Sequence, residues 1–279
     1  MTVLAITGST GKIGGRIARQ LSEAGIPARL LVRDDSRAPR LRHTKVAVCS
    51  YGDREAAVAA LAGVEVLFMV SGHESSDRLD EHKTFVGAAA AAGVRHVIYL
   101  SFTGASERSG FSLARDHGAT EEYIRTSGMT WTFLRDNFYS EIFPSFADSE
   151  GIIRGPAGLG RVAPVSQRDV ADVAAKILRD PQTHSHSTYD LTGPEALTLT
   201  EIATILTRVT GTPHSFVDET ITEARASRAH YGAPDWQVDA WISTYTAIHD
   251  GELNAVSPDI GRLLGRPATG FAQALAAVQ

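Results

Sequence analysis

Cysteine is almost absent from this chain of 279 residues, and the single one, Cys49, has no partner for an intrachain disulfide. No apolar run approaches the roughly 20 residues that a membrane-spanning helix requires. The formal net charge of −5 provides no general attraction to nucleic acid. The first strand-like run begins at residue 3, so we expect no charged and then apolar signal peptide. These absences predict a cytoplasmic protein that binds neither membrane nor nucleic acid.

Two catalytic motifs are also missing. The chain contains no His-Glu-x-x-His zinc motif, and the spaced pair His184 and His186 lies in a Ser/Thr-rich turn before a strand-like run. Solvated loop histidines explain this pair better than ligands do, so we expect no metal site. A Gly-x-Ser-x-Gly nucleophile elbow is absent as well, which disfavours a serine hydrolase. With 43% hydrophobic and 21% charged residues, the chain can form one large domain, or one domain with a small lobe.

The most informative segment is the glycine-rich stretch 7–15, which follows the apolar run 3–6 and opens an amphipathic segment. This order predicts a strand, a tight turn and a helix. Gly8 can adopt the positive φ of a sharp turn, Gly11 lets a ligand approach the backbone, and Gly14 lets the helix pack close to its strand. The N–H groups at the start of that helix would then face an anion, most simply a pyrophosphate.

Short β-branched runs alternate with alanine-rich amphipathic segments along the first half of the chain. Strands are predicted at 3–6, 28–32, 45–49, 66–70, 96–100 and 130–134, and helices near 54–61, 78–92 and 115–127. This alternation predicts an α/β fold of the Rossmann type with a doubly wound parallel sheet. Because the strand runs are apolar throughout, we expect both of their faces to be covered. Further on, Thr198 and Glu201 form a capping-box pattern that predicts a helix start.

The pattern changes past about residue 150, where glycine and proline mark an irregular stretch. We therefore assign residues 1–150 to a Rossmann domain that binds the dinucleotide. Residues 151–279 are assigned to a smaller, mostly helical substrate-side lobe with segments that return to the sheet. Trp236 and Trp241 stand near helical spacing in this lobe, and a core position explains them better than a ligand cage does.

Arg33 occupies the position that selects the nucleotide in this type of fold. Proteins that prefer NAD usually place Asp or Glu at the end of the second strand, where it binds the ribose hydroxyls. A guanidinium there would meet the 2′-phosphate of NADP, so NADP(H) is the predicted cofactor; the alternative is a solvated basic face partnered by Asp34 and Asp35. Asp53 either contacts the adenine or caps the next helix, and Lys12 either neutralises phosphate or faces solvent.

Several motifs spread over nearly the whole chain support a more specific interpretation. They are Leu31-Val32-Arg33, Tyr51-Gly52-Asp53, Ala91-Ala92-Gly93-Val94, His117-Gly118-Ala119-Thr120-Glu121, Thr132-Phe133-Leu134-Arg135 with Asn137 and Tyr139, and Tyr189-Asp190-Leu191-Thr192-Gly193. Together with the glycine loop, this set resembles the short-chain dehydrogenase/reductase superfamily, and within it the atypical NmrA-like group. The likeness is greatest to the NADPH-dependent quinone reductases and triphenylmethane reductases of that group.

The resemblance implies positions for the cofactor and for the reaction. The pyrophosphate would be held by Gly8, Ser9, Thr10, Gly11, Lys12 and Ile13, the 2′-phosphate by Arg33, the middle of the cofactor by Ser71 and Gly72, and the nicotinamide by Asn137, Phe138 and Tyr139, with Arg168 reaching back from the smaller lobe. The catalytic candidates that it implies are His117, Asn137 and Tyr139.

The chain departs from the wider superfamily at one position. Classical members carry Tyr-x-x-x-Lys, in which the lysine lowers the tyrosine pKa so that the phenol can exchange a proton with an alcohol or carbonyl. Here His117-x-x-x-Glu121 stands in its place, and a nearby Glu121 would favour a protonated His117. Ser101 and Thr103 either offer hydroxyls to a substrate or simply end their strand. Ordinary alcohol dehydrogenation is therefore disfavoured.

Two functions follow as hypotheses. The first is an NADPH-dependent reductase, monomeric or homodimeric, that passes hydride to an electron-poor aromatic or quinone-like acceptor or a cationic dye. The second is a cofactor-binding redox sensor that catalyses nothing and regulates a protein partner. An open pocket lined by His73, Phe102, Tyr139 and Phe143 would favour the enzyme, whereas a helix-rich partner surface in the last third would favour the sensor.

Overall fold

A computed structural model describes residues 3–277 of the chain. The strands are β1 Leu4–Ile6, β2 Ala28–Val32, β3 Thr44–Val48, β4 Val66–Val70, β5 His96–Phe102, β6 Thr130–Asp136, β7 Ile152–Gly155, β8 Arg161–Val162, β9 Ser187–Leu191, β10 Leu197–Thr198 and β11 Ser215–Asp218. The helices are α1 Lys12–Glu23, α2 Arg54–Leu61, α3 Arg78–Ala91, α4 Ser112–Thr126, α5 Gln167–Arg179, α6 Leu199–Thr210, α7 Ile221–Arg228, α8 Asp235–His249, α9 Asp259–Leu264 and α10 Phe271–Ala276.

Seven strands form the central sheet in the order β3-β2-β1-β4-β5-β6-β9. The pairs β1–β2, β2–β3, β1–β4 and β4–β5 are parallel, and Leu4 is in register with Ala28 on one side and Val66 on the other. The chain thus builds outward from β1 in both directions, which makes a topological switch point between β1 and β4. The predicted doubly wound Rossmann-type fold is confirmed.

The predicted elements agree closely with the observed ones in this half of the chain. Strands β2 and β4 and helix α2 have the predicted bounds, while β5 and β6 extend two residues further than predicted. The expectation that every strand is covered on both faces is wrong for β3. This strand lies at the edge of the sheet, so its Val48 remains 53% exposed. An apolar run alone does not distinguish an edge strand from a central one.

The chain divides into two compact units, each built from separate segments. The first unit contains the described residues up to Phe102, together with Asp116–Arg135 and Val170–Tyr189. The second contains Thr103–Arg115, Asp136–Asp169 and the described residues from Asp190 onward. The boundary predicted at residue 150 coincides with none of these limits, and the functional assignment of residues 1–150 and 151–279 stays a prediction.

The second unit carries two small sheets beside its helices. β7 pairs with β11 in parallel, and β8 pairs with β10 in antiparallel orientation. Helix α6 starts at the predicted capping box, because the Thr198 side chain accepts from the Glu201 N–H and the Glu201 side chain accepts from the Thr198 N–H. The expectation of a core position is wrong for Trp236, which is 40% exposed. None of the helices among residues 3–277 is both long enough and apolar enough to cross a membrane.

Candidate active site

The glycine loop after β1 has the geometry that its sequence predicts. Gly8 has φ +65°, which turns the chain towards α1. A Cβ atom on Gly14 would stand 2.4 Å from the Gly8 carbonyl oxygen, so only glycine lets α1 begin this close to the turn. A Cβ atom on Gly11 would have the Gly8 oxygen as its nearest neighbour, at 3.3 Å. The structural reasons predicted for Gly8 and Gly14 are therefore confirmed, whereas Gly11 leaves space in front of the helix.

The start of α1 suits an anionic ligand. Gly11 at the N-cap has no side chain to cap the helix, and the first turn contains no acidic residue, so the partial positive charge there is not offset locally. Within the described chain, the buried Ser9 Oγ has no hydrogen-bond partner. Buried hydroxyls are normally bonded, so this unpaired atom within the loop fits a polar ligand there. The residues present fit the pyrophosphate of a dinucleotide; Lys12 is exposed here and Ile13 is buried inside the helix.

A cavity of about 160 Å³, which we call the nucleotide cavity, opens beside this loop in the first unit. Its wall is formed by Thr7, Gly8, Thr10, Leu31, Val32, Arg33, Cys49, Ser50, Tyr51, Val70, Ser71, Gly72, His73 and Glu81. These residues lie at or after the carboxyl ends of β1, β2, β3 and β4, where open α/β sheets bind ligands. The cavity thus brings together five predicted cofactor contacts: Gly8, Thr10, Arg33, Ser71 and Gly72.

Arg33 follows the last residue of β2 and is exposed in the wall of the nucleotide cavity. The alternative interpretation made Asp34 its partner, but the Asp34 carboxylate instead accepts from the Ser36 N–H at 3.0 Å and the Ser36 hydroxyl at 2.7 Å. These two bonds lower the pKa of Asp34. Arg33 therefore lies in the cavity wall, while the Asp34 carboxylate is bonded to Ser36.

Asp53 lies outside the wall of this cavity. Its carboxylate accepts from the Ala56 N–H at 3.0 Å and so caps α2, which is the second of the two predicted roles. The neighbouring Tyr51 does line the cavity, where its ring stacks on Phe85 with the ring centroids 4.2 Å apart. The Tyr51 hydroxyl donates to the Val70 carbonyl oxygen at 2.5 Å, which ties the end of β3 to the end of β4.

His117 is buried in the first unit, with partners on both ring nitrogens. Its Nε2 lies 2.9 Å from an Arg78 guanidinium nitrogen, and its Nδ1 lies 2.9 Å from the Tyr99 hydroxyl. Because a guanidinium can only donate, we assign Nε2 as the acceptor and place the ring proton on Nδ1, facing Tyr99. Burial, and then the Arg78 guanidinium, lower the pKa of His117 well below its usual value. His117 is thus held as a neutral ring.

Glu121 does not pair with His117, so the condition under which it would favour a protonated histidine is not met. The Glu121 carboxylate accepts from the Ser101 hydroxyl at 2.7 Å, from Arg135 at 2.7 and 2.9 Å, and from Arg125 at 2.9 Å. The two arginines neutralise the carboxylate, so it exerts no comparable pull on the histidine. The Ser101 hydroxyl is engaged by this contact, and Ser101 lies inside β5, so it does not end its strand as the structural alternative predicted.

Two residues that sequence reasoning missed hold the backbone at Gly72. The Gly72 N–H donates to His82 Nε2 at 2.7 Å, and the Gly72 carbonyl oxygen accepts from Arg78 Nε at 3.1 Å. The other ring nitrogen of His82, Nδ1, lies 2.9 Å from the Thr120 hydroxyl. The Arg78 guanidinium also pairs with the Asp116 carboxylate at 3.0 Å. Burial lowers the pKa of His82 to about 3, and Arg78 adds to this effect.

We call this set, made of Arg78, His82, Tyr99, Asp116, His117 and Thr120, the Arg78 network. It connects the start of α3 and one face of α4 to a backbone segment that lines the nucleotide cavity. A sequence signal did exist: Arg78 and His82 continue the buried stripe of Phe85, Val86 and Ala89 at helical spacing. Because Arg78 and His82 are polar, an apolar pattern alone does not extend this stripe to the start of α3.

The remaining predicted residues belong to the second unit. Asn137 is buried; its amide nitrogen donates to the Leu253 carbonyl oxygen at 3.0 Å, and its amide oxygen accepts from the Phe138 N–H at 2.8 Å. The Tyr139 hydroxyl donates to the Asp136 carboxyl group, and burial raises the pKa of Asp136 to about 8. Arg168 is exposed in the first turn of α5, and its N–H donates to the Ser166 hydroxyl at 3.2 Å.

Phe143 cannot line an open pocket, contrary to expectation. It is fully buried in the second unit and packs edge-on against Phe271 with the ring centroids 5.6 Å apart. His73 does line the nucleotide cavity, and Phe102 lies beside His117 in the first unit. Within the described residues, no group of three or more His, Cys, Asp or Glu side chains could hold a metal ion.

The sheet topology, the glycine loop and the nucleotide cavity together define a Rossmann-type dinucleotide-binding protein. The chain belongs to the NmrA-like family, whose family model matches residues 1–225. The predicted resemblance is therefore confirmed.

Two relatives match over almost their whole length. The chain is 31% identical to quinone oxidoreductase 2 of Escherichia coli (strain K12), with 98% of this chain and 97% of that protein covered. It is 36% identical to a (4-alkanoyl-5-oxo-2,5-dihydrofuran-3-yl)methyl phosphate reductase of Streptomyces griseus subsp. griseus, with 96% and 95% covered.

Two solved structures are similar in fold and sequence. The NADPH-dependent quinone oxidoreductase of Escherichia coli complexed with NADPH superposes with a TM-score of 0.89 at 30% identity, covering 99% of each chain. The Citrobacter sp. triphenylmethane reductase complexed with NADP(H) gives a TM-score of 0.86 at 30% identity, covering 99% of this chain and 100% of that one.

Proposed function

We propose that the chain is an NADPH-dependent reductase that passes hydride to an electron-poor acceptor such as a quinone or a dye. One observation carries the proposal: the nucleotide cavity places Arg33 and the glycine loop together at the switch point of the sheet. The relatives, which include reductases crystallised with NADPH or NADP(H), support an oxidoreductase with this cofactor. The identity of the acceptor belongs to the proposal.

The chemistry demands little proton transfer from the protein. A quinone that accepts a hydride from NADPH and one proton from water becomes a hydroquinone, and NADP⁺ is released. An alcohol, by contrast, must lose a proton as its hydride leaves, and this requires a base at the reacting atom. His117 is a poor candidate for that base, because Arg78 and Tyr99 already occupy both of its ring nitrogens.

The roles of the individual residues follow from their positions. Gly8 to Ile13 would hold the pyrophosphate and Arg33 the 2′-phosphate, while Ser71 and Gly72 would contact the middle of the cofactor. In the second unit, Asn137, Tyr139 and Arg168 would contact the nicotinamide half. Asn137 would act mainly by positioning, since its amide group already fixes the backbone at Leu253 and Phe138. His117 would shape the site and not donate a proton.

Replacing Arg33 tests the cofactor assignment. NADPH should bind more tightly than NADH, because charge-assisted bonds to the 2′-phosphate contribute about 1.5–3 kcal/mol, or roughly ten- to a hundredfold in affinity. Arg33→Ala should remove most of this preference, as measured by equilibrium titration with both nucleotides. Arg40→Ala is the control, because Arg40 is exposed and lies outside the cavity wall. Equal affinities for NADPH and NADH in the unaltered protein would contradict the assignment.

Turnover distinguishes the reductase from the sensor. NADPH oxidation should be measured with a small panel of quinones, at cofactor concentrations above the measured Kd. We expect turnover on at least one quinone. Tight NADPH binding without turnover on any acceptor would instead support a non-catalytic redox sensor that regulates a protein partner.

A further inference from the structure

Among the described residues that form the wall of the nucleotide cavity, Glu81 carries the only carboxylate. Glu81 lies half-buried in the first turn of α3, and within the described chain its carboxylate makes no hydrogen bond and no ion pair. We propose that this carboxylate accepts a hydrogen bond from the 6-amino group of the adenine of NADPH and so selects adenine over 6-oxo purines. The inference rests on the proposed function, because it requires NADPH in this cavity.

The nucleotide cavity belongs to the adenosine half of the cofactor. The 2′-phosphate assigned to Arg33 is attached to the ribose that carries the adenine, whereas the nicotinamide is attached to the other ribose. The pyrophosphate assigned to the glycine loop joins the two halves, and the nicotinamide half is assigned to the second unit. The adenine is therefore expected near Arg33, among the wall residues that neither the loop nor Arg33 accounts for.

The rest of the wall suits a purine ring. Apolar side chains can pack against the flat faces of the base, and they are Leu31, Val32, Cys49 and Val70. Several polar groups are already engaged: the Tyr51 hydroxyl donates to the Val70 carbonyl oxygen. The Gly72 N–H and carbonyl oxygen are bonded to His82 and Arg78. Of the polar side chains in this wall, only an ionised Glu81 accepts hydrogen bonds without being able to donate one.

The Glu81 side chain reaches the segment that follows β3. A Cβ atom on Gly52 would stand 3.7 Å from Glu81 Cγ and 3.8 Å from Glu81 Oε1, so the carboxylate lies close to the backbone there. The sequence predicted that Asp53 in this segment either contacts the adenine or caps α2, and Asp53 caps α2. Glu81 therefore brings a carboxylate to the place where the adenine contact was predicted.

A carboxylate distinguishes purines by the group at position 6. Adenine carries an amino group there, which donates hydrogen bonds, whereas hypoxanthine and guanine carry an oxygen, which only accepts them. A charge-assisted hydrogen bond from the amino group stabilises the bound adenine nucleotide. A 6-oxo purine in the same position would place its oxygen against the Glu81 carboxylate, and the two acceptors would repel each other.

Asp80→Asn provides the matched control for variants of Glu81. Both acidic residues lie in the first turn of α3, where a negative charge stabilises the helix through its dipole. Asp80 is exposed and lies outside the cavity wall. The control therefore removes a negative charge from the same helical turn without changing the cavity.

Equilibrium titration with NADPH and with the reduced form of nicotinamide hypoxanthine dinucleotide phosphate, its 6-oxo analogue, tests the proposal. The unaltered protein and Asp80→Asn should bind NADPH more tightly by roughly tenfold, since the bond to the amino group is charge-assisted. Glu81→Ala should weaken NADPH binding and bring the two Kd values together. Glu81→Gln should also remove most of the preference, because its amide can donate to the 6-oxygen.

The outcomes separate this contact from the proposed function. Equal Kd values in the unaltered protein, or a preference that Glu81→Ala leaves unchanged, would overturn the role of Glu81 and keep NADPH as the cofactor. Tighter NADPH binding by Glu81→Ala would also overturn it, because the carboxylate would then repel the phosphates. An adenine preference that depends on Glu81, without turnover on any quinone, would keep the contact and contradict the reductase. Failure of the unaltered protein to bind NADPH would overturn both.

Discussion

Gly11→Val should abolish binding of both NADPH and NADH while the protein stays folded. Gly11 has φ −98° and ψ −175°, a backbone conformation open to any residue, and its Cβ would have only the Gly8 oxygen nearby, at 3.3 Å. The valine methyl groups would therefore fill the space in front of α1, where the pyrophosphate is expected. Titration with each nucleotide measures the loss, and circular dichroism with thermal melting checks the fold.

Gly261→Val is the control for this change. Gly261 lies in α9 of the second unit, and the nearest atom to a Cβ there is the Arg266 carbonyl oxygen at 3.8 Å. The control variant should bind NADPH as the unaltered protein does. If Gly11→Val folds and binds NADPH with unchanged affinity, the cofactor has been assigned to the wrong part of the chain.

Arg78→Met should destabilise the first unit and weaken NADPH binding together. The buried guanidinium bonds the Gly72 carbonyl oxygen, the Asp116 carboxylate and His117, and hydrogen bonds to charged groups contribute about 1.5–3 kcal/mol each. We expect the free energy of unfolding in urea to fall by about one such contribution, since Asp116 is partly exposed and keeps water as a partner. The KM for NADPH should rise more than the KM for the quinone, because the freed backbone lines the nucleotide cavity.

A second variant separates a positioning role of Arg78 from a merely structural one. Arg78→Lys keeps the positive charge, so it should recover part of the lost stability and reverse part of the rise in the KM for NADPH. A variant that loses stability but keeps the KM for NADPH would show that Arg78 only supports the fold.

His117→Gln should lower turnover by less than tenfold, without a new pH dependence. A loss of roughly a hundredfold or more, together with a wild-type rate that falls as pH rises, would make His117 a general acid and contradict the network as described.

Short-range sequence patterns were sufficient to predict the central sheet and the part of the candidate site that contains the glycine loop and Arg33. The requirement for glycine at Gly8 and Gly14 arises within a few residues, so the strand, turn and helix could be predicted from those residues alone. Arg33 was predictable for the same reason, because it directly follows its strand. β-Branched runs marked strands β1 to β6, but they did not indicate the position of β3 at the sheet edge or the strands of the two small sheets, β7, β8, β10 and β11.

Contacts between distant segments could not be predicted in this way. The Arg78 network joins α3, β5 and α4, and nothing in the spacing of Arg78 and His117 indicates that they meet 2.9 Å apart. The spacing likewise does not predict the partner of Glu121. Its carboxylate pairs with Arg135 of β6 and not with His117, which lies one helical turn away. Trp236 and Trp241 share a helix, and only tertiary packing decides which of the two lines a cavity.

The most direct test of the account is a paired assay on one preparation of the unaltered protein. NADPH oxidation is followed with an uncharged naphthoquinone, and NADP⁺ reduction is followed with simple secondary alcohols under matched conditions. The account predicts steady quinone reduction and no measurable alcohol oxidation, because hydride transfer to a quinone needs no base from the protein. Robust oxidation of an alcohol, or NADPH binding without reduction of any quinone, would contradict it.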